Sequence, residues 1–128
     1  MDKREVRSKS APAALGPYSQ GVVVGQTVYL SGQIGLDPAT GSLVYGIEAQ
    51  THQAFRNLQA VARSAGGDMN DLVKVTILLA DMSDFKMVNE IMTGYFTRPY
   101  PARSTFQVAA LPKDAEIEIE AIMMLRNA

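Results

Sequence analysis

The chain has 128 residues, a formal net charge of -1 and 47% hydrophobic residues, which suits one domain with a single core and leaves too little chain for two. Scattered basic residues at a pI near 5.8 lack the electrostatic footprint of a nucleic-acid binder, and the absence of cysteine excludes disulfides, thiolate nucleophiles and cysteine-bearing zinc sites. No apolar run approaches roughly 18 residues and no charged-then-apolar leader follows Met1, so a soluble cytoplasmic protein without a membrane partner is expected.

A short strand is expected near Glu5 to Arg7. Ser10 to Tyr18, with Pro12, Gly16 and Pro17, must be an irregular loop. Gly21-Val22-Val23-Val24 and Thr27-Val28-Tyr29-Leu30-Ser31 are β-branched or aromatic runs separated by Gly25-Gln26, the pattern of a two-residue hairpin whose first central residue has positive φ. Asp37-Pro38-Ala39-Thr40-Gly41 is a further turn. From about Glu48 to Ala65, Ala54, Phe55, Leu58, Val61, Ala62 and Ala65 follow helical spacing, and Gly66-Gly67 stops the helix. The sole histidine, His52, is expected on its solvent side, away from any acidic cluster, so no metal site is visible.

Leu72 to Ala80 is nearly continuous Val, Ile and Leu and reads as an interior strand. Ser83 is placed as the N-cap of a second amphipathic helix carrying Phe85, Val88, Ile91, Met92 and Tyr95, which Arg98-Pro99-Tyr100-Pro101 ends. Two period-two runs follow, Ala102 to Val108 and Glu116 to Met123, joined by Leu111-Pro112-Lys113-Asp114, and they are expected to form a hairpin-like pair. Matching apolar with apolar puts Ala102, Ser104, Phe106 and Val108 with Ile117, Ile119, Ala121 and Met123. The same register gathers Arg103, Thr105, Gln107, Glu118 and Glu120 on the other face. Residues 1–128 thus form a single α+β domain, with a sheet of about six strands and two helices on one face. Val22, Val24, Leu78, Ile122 and Met124 point to the other face, which self-association would cover, making a polar cluster there a between-subunit cleft.

Gly16-Pro17-Tyr18-Ser19-Gln20, Ser31-Gly32-Gln33-Ile34, Pro101-Ala102-Arg103-Ser104 and Leu111-Pro112-Lys113-Asp114 with Ile117-Glu118-Ile119-Glu120-Ala121 resemble, in this order and over nearly the whole chain, the reactive-intermediate deaminase family, also called Rid or YjgF. The resemblance implies a chorismate-mutase-like fold with a mixed sheet, assembled as a barrel-like homotrimer with clefts between subunits. It implies hydrolysis of 2-aminoacrylate/2-iminopropanoate and 2-iminobutanoate to 2-oxo acids and ammonia, without a cofactor. A non-catalytic trimer that binds small carboxylates or acts as a holdase is the alternative. An endoribonuclease, a label also attached to the family, lacks a histidine pair, a metal cluster or a basic patch.

The resemblance carries roles onto particular residues. Arg103 matches the arginine that clamps the substrate carboxylate with paired charge-assisted bonds, which lysine does not reproduce. Glu118 matches the glutamate that positions or deprotonates water. Arg103 would lower its pKa while burial and Glu120 would raise it. Ser31 and Gly32 match the carboxylate-side wall, through a hydroxyl, a main-chain N–H and the close approach that a missing side chain permits. Tyr18 and Asn89 match cleft-lining residues. Thr105 stands where many imine-hydrolysing members have cysteine, which bears on substrate preference more than on reaction type. The structural alternatives are an Arg103–Glu118 ion pair, a Ser31-Gly32 turn, a core-packed Tyr18 and an exposed helical Asn89.

Overall fold

A computed structural model describes residues 2–126. Its strands are β1 (Lys3–Val6), β2 (Gly21–Val24), β3 (Thr27–Gln33), β4 (Leu72–Leu79), β5 (Ala102–Gln107) and β6 (Ile117–Met124), with helices α1 (Ile47–Ser64) and α2 (Phe85–Met92). Short 3-10 turns at Met69–Asp71, Met82–Asp84 and Pro112–Asp114 join them. The strands form one six-stranded mixed sheet in the order β1-β2-β3-β6-β4-β5, so the expected α+β class with two helices holds.

The β2–β3 hairpin is as expected: Val24 pairs with Thr27, and Gly25, at φ 62, supplies the left-handed residue. Helix α1 buries Ala54, Phe55, Leu58, Val61 and Ala62 against β3 and β6, and Gly66, at φ 100, ends it. Ala65 is partly buried against the same core. Phe55, Leu58, Ile77, Leu79, Ile117, Ile119 and Met123 are each fully enclosed. These side chains form one cluster between sheet and helices, and its burial is the main source of stability.

The C-terminal pairing differs from expectation. Strand β5 runs parallel to β4 at the sheet edge, while β6 lies between β3 and β4 and is antiparallel to both. The cause is the connection from β4 to β5. It passes through α2, and a crossover of this kind returns the chain to its starting end and makes the strands parallel. Strand β6 alternates buried and less buried residues over its whole length and takes the interior place, whereas β5, largely exposed, takes the edge.

This topology also corrects the faces. Arg103, Thr105 and Gln107 pair with Val75, Ile77 and Leu79, whose side chains are buried on the helix side. Ala102, Ser104 and Phe106 share the open side with Lys74, Thr76 and Leu78, and Phe106 is 56% exposed rather than in the core. Glu118 and Glu120 pair with Leu78 and Thr76, so they too are on the open side. Within one chain, Arg103 and Glu118 therefore lie on opposite faces of the sheet.

Two local expectations are also revised. Ser83 does not cap α2: the Asp81 carboxylate accepts from the Ser83 N–H and caps the 3-10 turn Met82–Asp84, and α2 starts at Phe85. Asp two residues before Ser competes for the same orphan N–H groups and wins as the charged acceptor. His52 is half-buried rather than on the solvent side, with Nδ1 2.8 Å from the Tyr95 hydroxyl. Tyr95 lies beyond the end of α2 but still stacks on Phe55, at 4.9 Å between ring centres.

Candidate functional site

The first part of the site opens on the uncovered side of the sheet, where β3, β6 and the loop before β2 meet. A cavity of about 530 Å³ is lined there by Tyr18, Ser31, Gly32, Lys113, Glu118 and Glu120, among others. A register shift in the β3–β6 pairing lies between Leu30 and Gln33, at Ser31-Gly32, and such an irregularity re-aims the backbone beside a site. Gly32 is required for space: a Cβ there would lie 2.5 Å from Glu118 Oε2 and 2.8 Å from Cδ. The carboxylate thus presses directly on the main chain.

Burial raises the Glu118 pKa above the ordinary carboxylate value, and the neighbouring Glu120 charge adds to it. Arg103, expected to pull the other way, is on the far face and contributes nothing in this chain. A partly desolvated carboxylate of raised pKa is better suited to take a proton from water than an ordinary surface acid.

Both donors of Ser31 are engaged within the chain. Its hydroxyl donates to the Ser19 carbonyl at 2.5 Å and its N–H donates to the Gln20 carbonyl at 3.0 Å, so both donors tie β3 to the loop that carries Tyr18. Gln20, which the resemblance quoted but gave no function, is buried and organises that loop. Its Oε1 accepts from the Ser8 N–H at 2.6 Å, and its Nε2 donates to the Pro12 carbonyl at 2.7 Å and the Ser8 carbonyl at 3.1 Å. Tyr18 remains 54% exposed at the cavity rim.

The second part lies on the helix side, at the β5 edge. Arg103 Nη1 donates to Asn89 Oδ1 at 2.5 Å and lies 3.6 Å from Met92 Sδ, and its guanidinium carbon sits 5.1 Å from the Phe85 ring centre. All three neighbours belong to α2 and all are uncharged. A cavity of about 350 Å³ opens beside them, walled by Tyr100, Pro101 and Thr93. No ion pair among the described residues involves Arg103, Glu118 or Glu120. Thr105, next on the same strand face as Arg103, has a buried Oγ1 with no hydrogen-bond partner.

The structure therefore brings Tyr18, Ser31, Gly32 and Glu118 together, and separately Arg103 and Asn89, with Thr105 beside the latter pair by strand parity. The sequence did not reveal Phe85 and Met92 as neighbours of Arg103, although their i, i+4 and i+7 spacing with Asn89 marks one helix stripe. Among the described residues no group of His, Asp or Glu is placed to hold a metal ion, and no helix is long and apolar enough to cross a membrane.

The profile of the family described as Endoribonuclease L-PSP matches residues 8–125. The chain belongs to this family. A mouse (Mus musculus) protein named 2-iminobutanoate/2-iminopropanoate deaminase is 51% identical to this chain over 121 residues, covering 94% of this chain and 90% of the mouse one. Reactive Intermediate Deaminase A, chloroplastic, of Arabidopsis thaliana is 52% identical over 98% of this chain and 67% of its own length. The crystal structure of RidA from an Antarctic Psychrobacter bacterium superposes with a TM-score of 0.93 at 48% identity, covering 95% of this chain and 99% of that one. The resemblance seen in the sequence motifs thus extends over residues 8–125.

Proposed function

We propose that this protein hydrolyses reactive enamine and imine intermediates, 2-aminoacrylate/2-iminopropanoate and 2-iminobutanoate, to 2-oxo acids and ammonia, in clefts between the subunits of a homotrimer. The observation that carries this reading is that, among the described residues, neither Arg103 nor Glu118 is held in an ion pair, each at an open half-site. Their chemistries are complementary around a small 2-imino acid. Arg103 would hold the carboxylate through N–H groups not used on Asn89, each such bond contributing about 1.5–3 kcal/mol. Glu118 would take a proton from water as its oxygen bonds to C2 of the iminium carbon. Glu118 returns that proton to nitrogen and then takes the proton of the new C2 hydroxyl, so that the C–N bond breaks, ammonia leaves and the C2 carbonyl forms. General-base help of this kind supplies about 100- to 10,000-fold. Relatives at about half identity carry the corresponding deaminase name, and residues 1–128 are read as a single domain of that kind.

Assembly joins the half-sites in this reading. The open sheet face exposes Tyr29, Phe106 and Met124, with Val22, Val24, Leu78 and Ile122 partly covered. An apolar surface of this extent favours a partner, and a second copy laid across it supplies the missing Arg103 or Glu118. Tyr18, Gly32, Asn89 and Thr105 then line the cleft, and Ser31 fixes its wall.

The test is a coupled assay in which a pyridoxal-phosphate-dependent dehydratase releases 2-aminoacrylate and 2-oxo acid formation is followed. The parent should accelerate hydrolysis, with Arg103→Ala and Glu118→Ala losing it. Equal rates for all three would end the enzyme reading and leave a carboxylate-binding or holdase trimer. Sedimentation of the parent as a monomer at micromolar concentration would end the between-subunit cleft.

A further inference from the structure

The partners of Arg103 are the least expected feature of the site. An exposed strand arginine gains from a carboxylate directly across the sheet, and this chain has 13 acidic residues from which to supply one. Instead one side of the guanidinium is taken by an amide oxygen, a thioether and an aromatic ring, from Asn89, Met92 and Phe85. These groups orient the cation through partial charges and a ring quadrupole without neutralising it. Met92 and Phe85 are anchored from below: Met92 is buried and Phe85 packs on the core cluster. Asn89 is exposed and is free to be changed without disturbing that packing.

We propose that Phe85 and Met92 are positioning residues for Arg103, and that the uncharged character of the Phe85-Asn89-Met92 cradle is what leaves the cation available to the substrate carboxylate. This rests on the proposed function for the identity of the substrate, but the cradle itself is tested by anion binding alone. A carboxylate in the cradle would form an internal ion pair, and every incoming anion would have to displace it. A neutral cradle keeps the guanidinium fixed in direction and open on its remaining N–H edge.

The decisive variant is Asn89→Asp, which keeps the shape of residue 89 and adds only a charge. Titration of the full-length protein with pyruvate, followed calorimetrically, should show affinity lost by about ten- to a hundredfold, the range of one charge-assisted bond. In the dehydratase-coupled assay KM should rise by a similar factor with kcat largely kept. Phe85→Leu should weaken pyruvate binding about two- to fivefold, the range of an exposed cation–π contact, with Met92→Leu in the same direction. Melting temperatures report folding separately. Pyruvate affinity unchanged in Asn89→Asp, with the protein folded, would overturn the proposal. So would a fall in kcat with KM unchanged. If the parent binds pyruvate but turns over no imine, the deaminase reading fails while the cradle is still judged by the affinity of the Asp variant. Failure of the parent to bind pyruvate overturns both.

Discussion

Replacing Gly32 by alanine separates the chemistry of Glu118 from the stability of the sheet. The added methyl carbon would lie 2.5 Å from Glu118 Oε2, 2.8 Å from Cδ and 3.0 Å from Cγ. Ordinary carbon contacts begin near 3.5 Å, so the carboxylate must retreat by about 1 Å. The obstacle is the far end of a flexible side chain, so the strand itself need not move. Folding should change by less than about 1 kcal/mol, since the loss of unfolded-chain freedom on Gly→Ala offsets part of any strain. A misplacement of about 1 Å at a reacting group costs on the order of 100-fold in rate. Gly32→Ala should therefore lose about two decades of kcat/KM in 2-aminoacrylate hydrolysis with a melting temperature within a few degrees of the parent, roughly the shift expected for 1 kcal/mol. In a Glu118→Gln background the same substitution should add little, because both act on one carboxylate. Full activity in Gly32→Ala would show that the position of the Glu118 carboxylate does not matter and would refute the mechanism. Additive losses in the double variant would refute the shared cause.

Three further outcomes follow from the same geometry. The Glu118 pKa is raised in the folded chain, so its ionisation opposes folding: the contribution is fully favourable below the unfolded pKa and is lost as pH rises through the folded value. Glu118→Gln should then be more stable than the parent to urea at pH 8, with the gap closing towards pH 4; a gap that widens on acidification contradicts the desolvated carboxylate. Asn57→Ala removes a fully buried amide that donates to the Ile34 and Leu36 carbonyls at 3.1 and 2.9 Å. It should lower unfolding free energy by about 2–6 kcal/mol, at about 1–3 kcal/mol for each of the two orphaned carbonyls; an unchanged urea midpoint would show the carbonyls are satisfied otherwise. Arg103→Lys keeps charge but not the planar fork, and KM should rise at least about tenfold with stability unchanged; wild-type KM would remove bidentate recognition.

Much of the architecture was legible locally. Gly25-Gln26 between two β-branched runs specified the β2–β3 hairpin, and the spacing of Phe55, Leu58 and Val61 specified α1, because both patterns are set within a few residues. The candidate site residues were legible as types through their motifs. Their arrangement was not. Period two fixes that Arg103 and Phe106 face opposite ways, but it does not say which strand β5 will pair with, and pairing it with β6 produced the wrong face for every side chain on it. The buried polar ties of Gln20 and Asn57 were equally hidden, since an amide in a loop or helix shows no periodic signal of the carbonyls it will meet.

The sequence by itself determined the α+β class, the element order and the family the chain belongs to, since these depend on composition, short-range periodicity and motif order. Only the tertiary structure decided that Arg103 and Glu118 stand on opposite faces of one sheet. The crossover through α2 makes β5 parallel to β4 and inserts β6 between β3 and β4, a choice made by burial of the whole apolar set at once rather than by any stretch of neighbouring residues.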